Sequence, residues 1–222
     1  MNARRMNQPV ALALAALLAI LAACPVRGAT VSYDGTHSRR MAVIDERASR
    51  LSWATVGRLG SPFNTTGLFL IQERAFLIHF DLSAIPPGQR IVKAELLVPV
   101  ADTAGYDPRF FIWRMVAGWG VGVCWDERLQ EPAPMKWAVP GGRGPGLDRA
   151  LEPTAVVRQP GRVQVPVNVT ADVALWYAGA APNEGWMMTV EDPGIWVALR
   201  PPFWNAASLW TLQITYEPEA TP

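Results

Sequence analysis

Hydrophobic and polar residues alternate along much of the chain with the period of two that marks a strand. The clearest run covers residues 74–101, RAFLIHFDLSAIPPGQRIVKAELLVPVA. Phe76, Ile78 and Phe80 fall on one side of an extended chain, with His79 and Asp81 on the other. Further on, Val92, Ala94, Leu96, Val98 and Val100 share a side, while Lys93 and Glu95 take the opposite one. The pattern predicts two strands, each burying one face and showing the other to water. Between them Pro86, Pro87 and Gly88 cannot continue a ladder, so the chain turns there.

Other strands are predicted over residues 41–44, 54–59, 67–73, 185–191, 195–200 and 208–216, with 67–73 pairing with 75–81. The stretch 109–117 (RFFIWRMVA) is apolar on both sides, which places it inside a sheet. Val163, Val165, Val167 and Val169 alternate with polar residues, and Pro166, lacking an amide hydrogen, sets that strand at an edge or beside a bulge. In the last strand Trp210, Leu212, Ile214 and Tyr216 face inward. One short helix is expected near 170–178, capped by Thr170, with Val173, Trp176 and Tyr177 inward. Residues 131–161 form the longest aperiodic stretch, and a loop of that length is expected to be functional or mobile. About nine to eleven short strands and one helix define an all-β fold, a two-sheet antiparallel sandwich.

A resemblance sharpens this. Arg74, the run Phe80-Asp81-Leu82-Ser83, Ile85-Pro86 and Ala94-Glu95-Leu96 resemble, in order, the signature of the DNRLRE-domain family of extracellular bacterial and archaeal β-sandwich modules. Trp119, Val123, Trp125 with Cys124 where Thr is usual, Trp137 before Pro140-Gly141-Gly142, and Asn168-Val169-Thr170 before Trp176 continue the likeness. The family's Thr-Tyr-Ile strand and Asn-Tyr-Gly loop have no counterpart in the first part of this chain. The resemblance implies a jelly-roll-like sandwich. Since such modules often accompany polysaccharide-degrading enzymes or surface proteins, it also implies glycan binding or adhesion at the cell surface.

The amino end carries a different message. Arg4 and Arg5 precede an apolar run over 11–23, the layout of a secretory signal rather than a spanning helix. Leu21-Ala22-Ala23-Cys24 resembles a lipobox, in which Cys24 is lipidated and becomes the new terminus. The other reading is an ordinary signal cut later, for instance after Ala29, where Arg27 stands in place of a small residue. On the first reading 1–23 is a lipoprotein-type signal peptide, 24–40 a tether, 41–218 a single sandwich domain and 219–222 a tail. The product is then exported and held at a membrane by the anchor on Cys24, or, on the second reading, secreted.

Composition narrows the partners. A formal charge of +1 gives no field for nucleic acid. The 20 Pro and 18 Gly suit short strands and turns. Two cysteines, Cys24 and Cys124, leave a disulfide open, although a lipidated Cys24 would leave Cys124 alone, among apolar neighbours that suit a small buried side chain. No Cys and His cluster has zinc spacing, and no Asp-x-Asp-x-Asp-Gly loop supports more than a weak case for a structural Ca²⁺; no other cofactor is implied.

For chemistry, the chain has no nucleophile elbow, phosphate loop or dinucleotide fingerprint. Only His79 stands near a carboxylate at strand spacing, Asp81, and a partnered surface histidine explains that pair as well as a base does. Asp126, Glu127, Glu131, Asp148, Glu184, Glu191 and Asp192 lie at turns or strand ends, where a glycosidase pair could assemble, but acids at turns are ordinary. The ten tryptophans are the better lead. Trp113, Trp176 and Trp210 fall on apolar faces and belong to the core. Trp53, Trp137, Trp196 and Trp204 fall in loops or at strand ends, and with Arg200 and Asn205 they form the candidate glycan-binding set, since flat rings stack on sugars. Rings that merely cover the ends of the sandwich explain the same positions. The expectation is a non-catalytic glycan-binding module. The alternatives are a protein-binding part of a cell-envelope assembly and a small glycan-active hydrolase.

Overall fold

The computed structural model describes residues 28–34, 37–54, 68–120, 122–161, 164–200 and 210–219. They form fourteen strands: β1 (Ala29–Tyr33), β2 (Ser38–Asp45), β3 (Trp53–Ala54), β4 (Leu68–Leu70), β5 (Arg74–Phe80), β6 (Gln89–Ala104), β7 (Arg109–Arg114), β8 (Glu127–Leu129), β9 (Met135–Lys136), β10 (Ala155–Arg158), β11 (Gln164–Asn168), β12 (Trp186–Thr189), β13 (Trp196–Leu199) and β14 (Thr211–Pro218). Among the described residues there is one α-helix, α1 (Thr170–Tyr177), between β11 and β12. The first sheet has the order β1-β14-β6-β13-β4, with β11 also on β6; the second has β10-β7-β12-β5-β2-β3. Every ladder between named strands is antiparallel. The chain crosses repeatedly from one sheet to the other, giving the all-β, two-sheet antiparallel sandwich that the alternation predicts, with the jelly-roll-like character that the family resemblance implies.

The main core fills the space between the sheets, with Phe76, Ile78 and Phe80 of β5 facing Leu96, Val98 and Val100 of β6. Trp176, Trp186 and Trp210 add the largest rings there, and Trp176 packs 4.6 Å from Trp186 between centroids. Burial of that much apolar surface is the dominant stabilising contribution.

Four local expectations change. Val92 is exposed and Ile91 buried, because the β6–β14 register steps from Thr215↔Lys93 to Tyr216↔Ile91 and leaves Val92 as an extra, bulged residue. One added residue reverses the side on which every neighbour lies. β4 pairs with β13 of the first sheet, not with β5 of the second, so the chain changes layers between Leu70 and Arg74. The tether expected over 24–40 is shorter than that: β1 pairs with β14 from Ala29↔Tyr216 to Tyr33↔Leu212, and β2 begins at Ser38. Only Tyr33 of β1 is buried, so this edge strand has little apolar signal of its own. Finally, Thr170 is not the cap but the first helical residue; its hydroxyl accepts from the Ala94 amide at 2.9 Å and donates to Asn168 Oδ1 at 2.7 Å.

β11 has β6 as its one ladder partner among the described residues, the edge position that Pro166 requires.

The long aperiodic stretch is neither open nor detached. Residues 115–150 fold over the outer face of the second sheet and bury Trp119, Val123, Trp125 and Trp137 against Ala42, Ile44, Leu77 and Met187. β5 is therefore buried on both faces, contrary to the one-sided burial its alternation suggests. Asp148 holds this cover together. Only 2% exposed, its carboxylate accepts from the amides of Ala138 (2.8 Å), Val139 (2.9 Å) and Gly144 (2.9 Å). Arginines lie over the rings: Arg149 at 3.6 Å from the Trp113 centroid, Arg40 at 4.9 Å from Trp119 and Arg143 at 5.4 Å from Trp125. Cation–π contact joins charge to apolar surface without stripping either bare.

Candidate functional site

Residues quoted for the family likeness have structural work to do. Arg74 forms a part-buried ion pair with Asp45, Nε to Oδ2 at 2.8 Å and a second nitrogen at 2.5 Å, which locks β5 to β2. Asp81 accepts from the Ser83 amide (3.1 Å) and hydroxyl (2.8 Å), closing the turn after β5. Ile85 enters the core, and the Pro86 carbonyl accepts from the Tyr177 hydroxyl at 2.6 Å. That hydroxyl also accepts from the Gln89 amide at 3.0 Å, so α1 clamps the crossing from one sheet to the other.

The acids considered for hydrolysis are spread over separate contacts. Glu184 pairs with Arg40 at 2.9 Å, and Asp192 takes two hydrogen bonds from Arg109 at 2.6 and 2.9 Å. Glu191 accepts from Arg149 (3.0 Å) and Thr189 (2.8 Å). Burial by itself would raise the Glu191 carboxyl, but these bonds outweigh it and hold the group below the usual carboxylate range. Asp126 accepts from Ser49 at 2.9 Å, Asp148 is enclosed in the cover, Glu127 lies in β8 and Glu131 is exposed. Among the described residues no group of three or more His, Cys, Asp or Glu is placed to hold a metal ion. Cys124 is buried as a free thiol. Cys24 lies outside the described residues.

The candidate glycan set divides. Trp137 is not a surface ring: 5% exposed, it packs in the cover and donates to the Cys124 carbonyl at 2.9 Å. Its place in an aperiodic stretch hid this, since only the folding of that stretch onto the sheet supplies the burial. Trp53 opens β3, where only the backbone is described; Trp204 and Asn205 lie outside the described residues. Trp196 and Arg200 remain, and the first sheet brings them new neighbours. Val197 and Leu199 point into the core, so Trp196 and Ala198 point outward. Across the ladders Ala198 faces Phe69 on one side and Asp102 on the other. Phe69 and Trp196, both half-buried, meet edge to face at 5.4 Å and 68°. Arg200, exposed and tied through its amide to the Pro99 carbonyl at 2.8 Å, follows on the same face by alternation. Phe69 and Asp102 were missed from the sequence; the outward position of Phe69 between Leu68 and Leu70 was the available signal.

At the other end of β6 lies an open cleft of about 720 Å³, beside the turn after β5 and the carboxyl end of α1. His79, Asp81, Gln89, Trp176, Asn183 and Glu219 contribute to its walls. Asn183 donates to the Phe80 carbonyl at 2.9 Å and accepts from the Gly185 amide at 3.2 Å. His79 is half-buried rather than solvent-facing, and its pKa is lowered to about 4. Burial is the main cause and the Arg40 charge adds to it, against an opposing pull from Asp81.

That shift carries a prediction. The unfolded chain takes up a proton near pH 6.5 while the folded one waits until about 4. His79 thus contributes its full stabilisation above pH 6.5 and loses it as the pH falls through that window. The difference amounts to about 2–3 kcal/mol. Unfolding free energies of the wild type and His79→Gln, from urea titrations, should converge by that amount between pH 7 and 4; parallel curves would refute the shift.

No known family model matches the chain, and no curated protein matches it. Among the described residues no helix is long and apolar enough to cross a membrane.

Proposed function

We propose that the protein is a non-catalytic, extracytoplasmic binding module of the DNRLRE type, anchored through a lipid on Cys24, that takes a glycan on the outer face of its first sheet. The observation that carries this reading is the grouping of Phe69, Trp196, Asp102 and Arg200 on one face around the small Ala198. A ring offers its face to the apolar side of a sugar, and flanking charged groups hydrogen-bond the hydroxyls. Because the two rings meet edge to face, one of them lies flat beneath a sugar and the other serves as a wall. Of the acids available to a hydrolase, Glu184, Glu191 and Asp192 are paired with arginines and Asp148 is enclosed in the cover, which favours binding over catalysis.

The test is binding of the full chain to a panel of soluble polysaccharides. Trp196→Ala should weaken binding at least tenfold, as loss of one stacking ring does, with an unchanged far-UV spectrum. Arg200→Ala, at an exposed side chain, should weaken it less. Retention of every polysaccharide by Trp196→Ala would remove this face from consideration.

A second reading has its own observation. Leu147, Leu151 and Val156 stand exposed along the stretch that runs into β10, an edge of the second sheet. Apolar surface beside an open strand edge suits protein contact within an envelope assembly. Failure to bind any polysaccharide, with association abolished by Leu151→Glu, would favour it.

A further inference from the structure

The geometry points to a second binding site, for a neutral, hydroxyl-rich ligand such as the end of an uncharged oligosaccharide, in the cleft between the turn after β5 and the carboxyl end of α1. It stands on different residues from the outer-face site and does not depend on it.

Size comes first. About 720 Å³ falls within the range of clefts that hold small molecules. The lining then selects the chemistry. Gln89 brings an amide, Glu219 a carboxylate and Trp176 an aromatic side chain, while Asn183 and Asp81 hold the wall in shape through Phe80, Gly185 and Ser83. Amides and carboxylates are the groups that bind paired hydroxyls, because each offers two polar atoms at the spacing of a vicinal diol. Among the described residues no Lys or Arg lines the cleft, so none of them would neutralise a phosphate, sulfate or uronate.

Trp176 supplies an independent indication. It is 7% exposed and lines the cleft, yet its indole N–H meets no acceptor among the described residues. The other indoles of this core do: Trp186 donates to Asp172 at 2.8 Å and Trp210 to the Arg200 carbonyl at 2.7 Å. Buried donors are satisfied in the great majority of native structures, so one left over beside an open cleft marks where an oxygen belongs. A peptide ligand is disfavoured by topology. β5 lies between β12 and β2, β14 takes one edge of the amino-terminal half of β6, and on its other edge the Gln89 amide is already held by the Tyr177 hydroxyl, so the cleft offers little backbone for an added strand.

The experiment is a titration of the full chain, ¹⁵N-labelled at tryptophan, with the tetrasaccharides of β-1,4- and α-1,4-linked glucose and with tetragalacturonate. The indole signals of Trp176 and Trp196 are assigned through Trp176→Phe and Trp196→Phe. A saturable shift of the Trp176 signal with a neutral tetrasaccharide, and none with the acidic one, is the expected result. Gln89→Ala combined with Glu219→Ala, both at the cleft rim, should then weaken that binding about tenfold, the loss of one or two hydrogen bonds, with an unchanged melting point. A Trp176 signal unmoved by either neutral sugar overturns the cleft site; the partner of the indole is then ordered water only. Movement of the Trp196 signal alone would leave the outer-face site standing and remove this one. Movement of Trp176 alone would do the reverse.

Discussion

Asp148→Ala should lower stability by about 3–5 kcal/mol, because it removes the one acceptor shared by three amides in the cover over the second sheet. The carboxylate is almost fully buried, so water cannot take its place without opening the layer. The same residue's carbonyl accepts from Val116 (2.9 Å) and Ala117 (3.0 Å), which ties the cover to the end of β7. For a domain of this size the loss corresponds to a fall in melting temperature of roughly 10 °C. Trp119, Trp125 and Trp137 would gain access to water, and their fluorescence should shift to the red before the main transition. Asp148→Asn should fall between the two, since its amide nitrogen would confront backbone donors. A variant that melts with the wild type would mean the cover is held by its apolar contacts alone.

Gly185→Ala should be more damaging still. Gly185 has φ +74, and a Cβ there would stand 2.2 Å from the Ile78 carbonyl oxygen and 2.8 Å from the His79 Cα. Those are backbone atoms of β5, so no side-chain rotation relieves the overlap. β12 begins at the next residue and lies between β5 and β7, so pushing it away breaks the middle of the second sheet. A loss above about 4 kcal/mol is expected, a large share of the stability of an ordinary domain. Gly179→Ala is the matched control. Its φ is +68 but nothing lies within 4 Å of the added carbon, so only the left-handed backbone penalty of about 1–2 kcal/mol applies. Urea denaturation of both variants separates the two effects, and equal losses would show that backbone conformation, not the approach to β5, governs the site.

Legibility in the sequence followed the physics of each element. Phe76, Ile78 and Phe80 read correctly because a strand against a broad core must repeat its apolar residues every second position. Val92 read wrongly because a bulge depends on hydrogen bonding with β14, more than a hundred residues away. β1 was mistaken for tether because an edge strand is specified by its partner more than by its own composition. Trp113, Trp176 and Trp210 were placed in the core from their spacing. Trp137 could not be, as its burial depends on where an aperiodic loop comes to rest. Of the candidate site, Trp196 and Arg200 were legible as a ring and a charge near a strand end. Phe69 and Asp102 joined them only through pairing across three strands.

The sequence by itself determined that the molecule is built of antiparallel strands in two layers, because alternation and turn chemistry are local and survive without a partner. Tertiary structure alone decided which layer each strand entered, that a third layer of tryptophan and arginine seals one face, and which polar groups meet in the cleft and on the outer face. Those outcomes depend on contacts between residues far apart in the chain, and no pattern confined to neighbours can encode them in readable form.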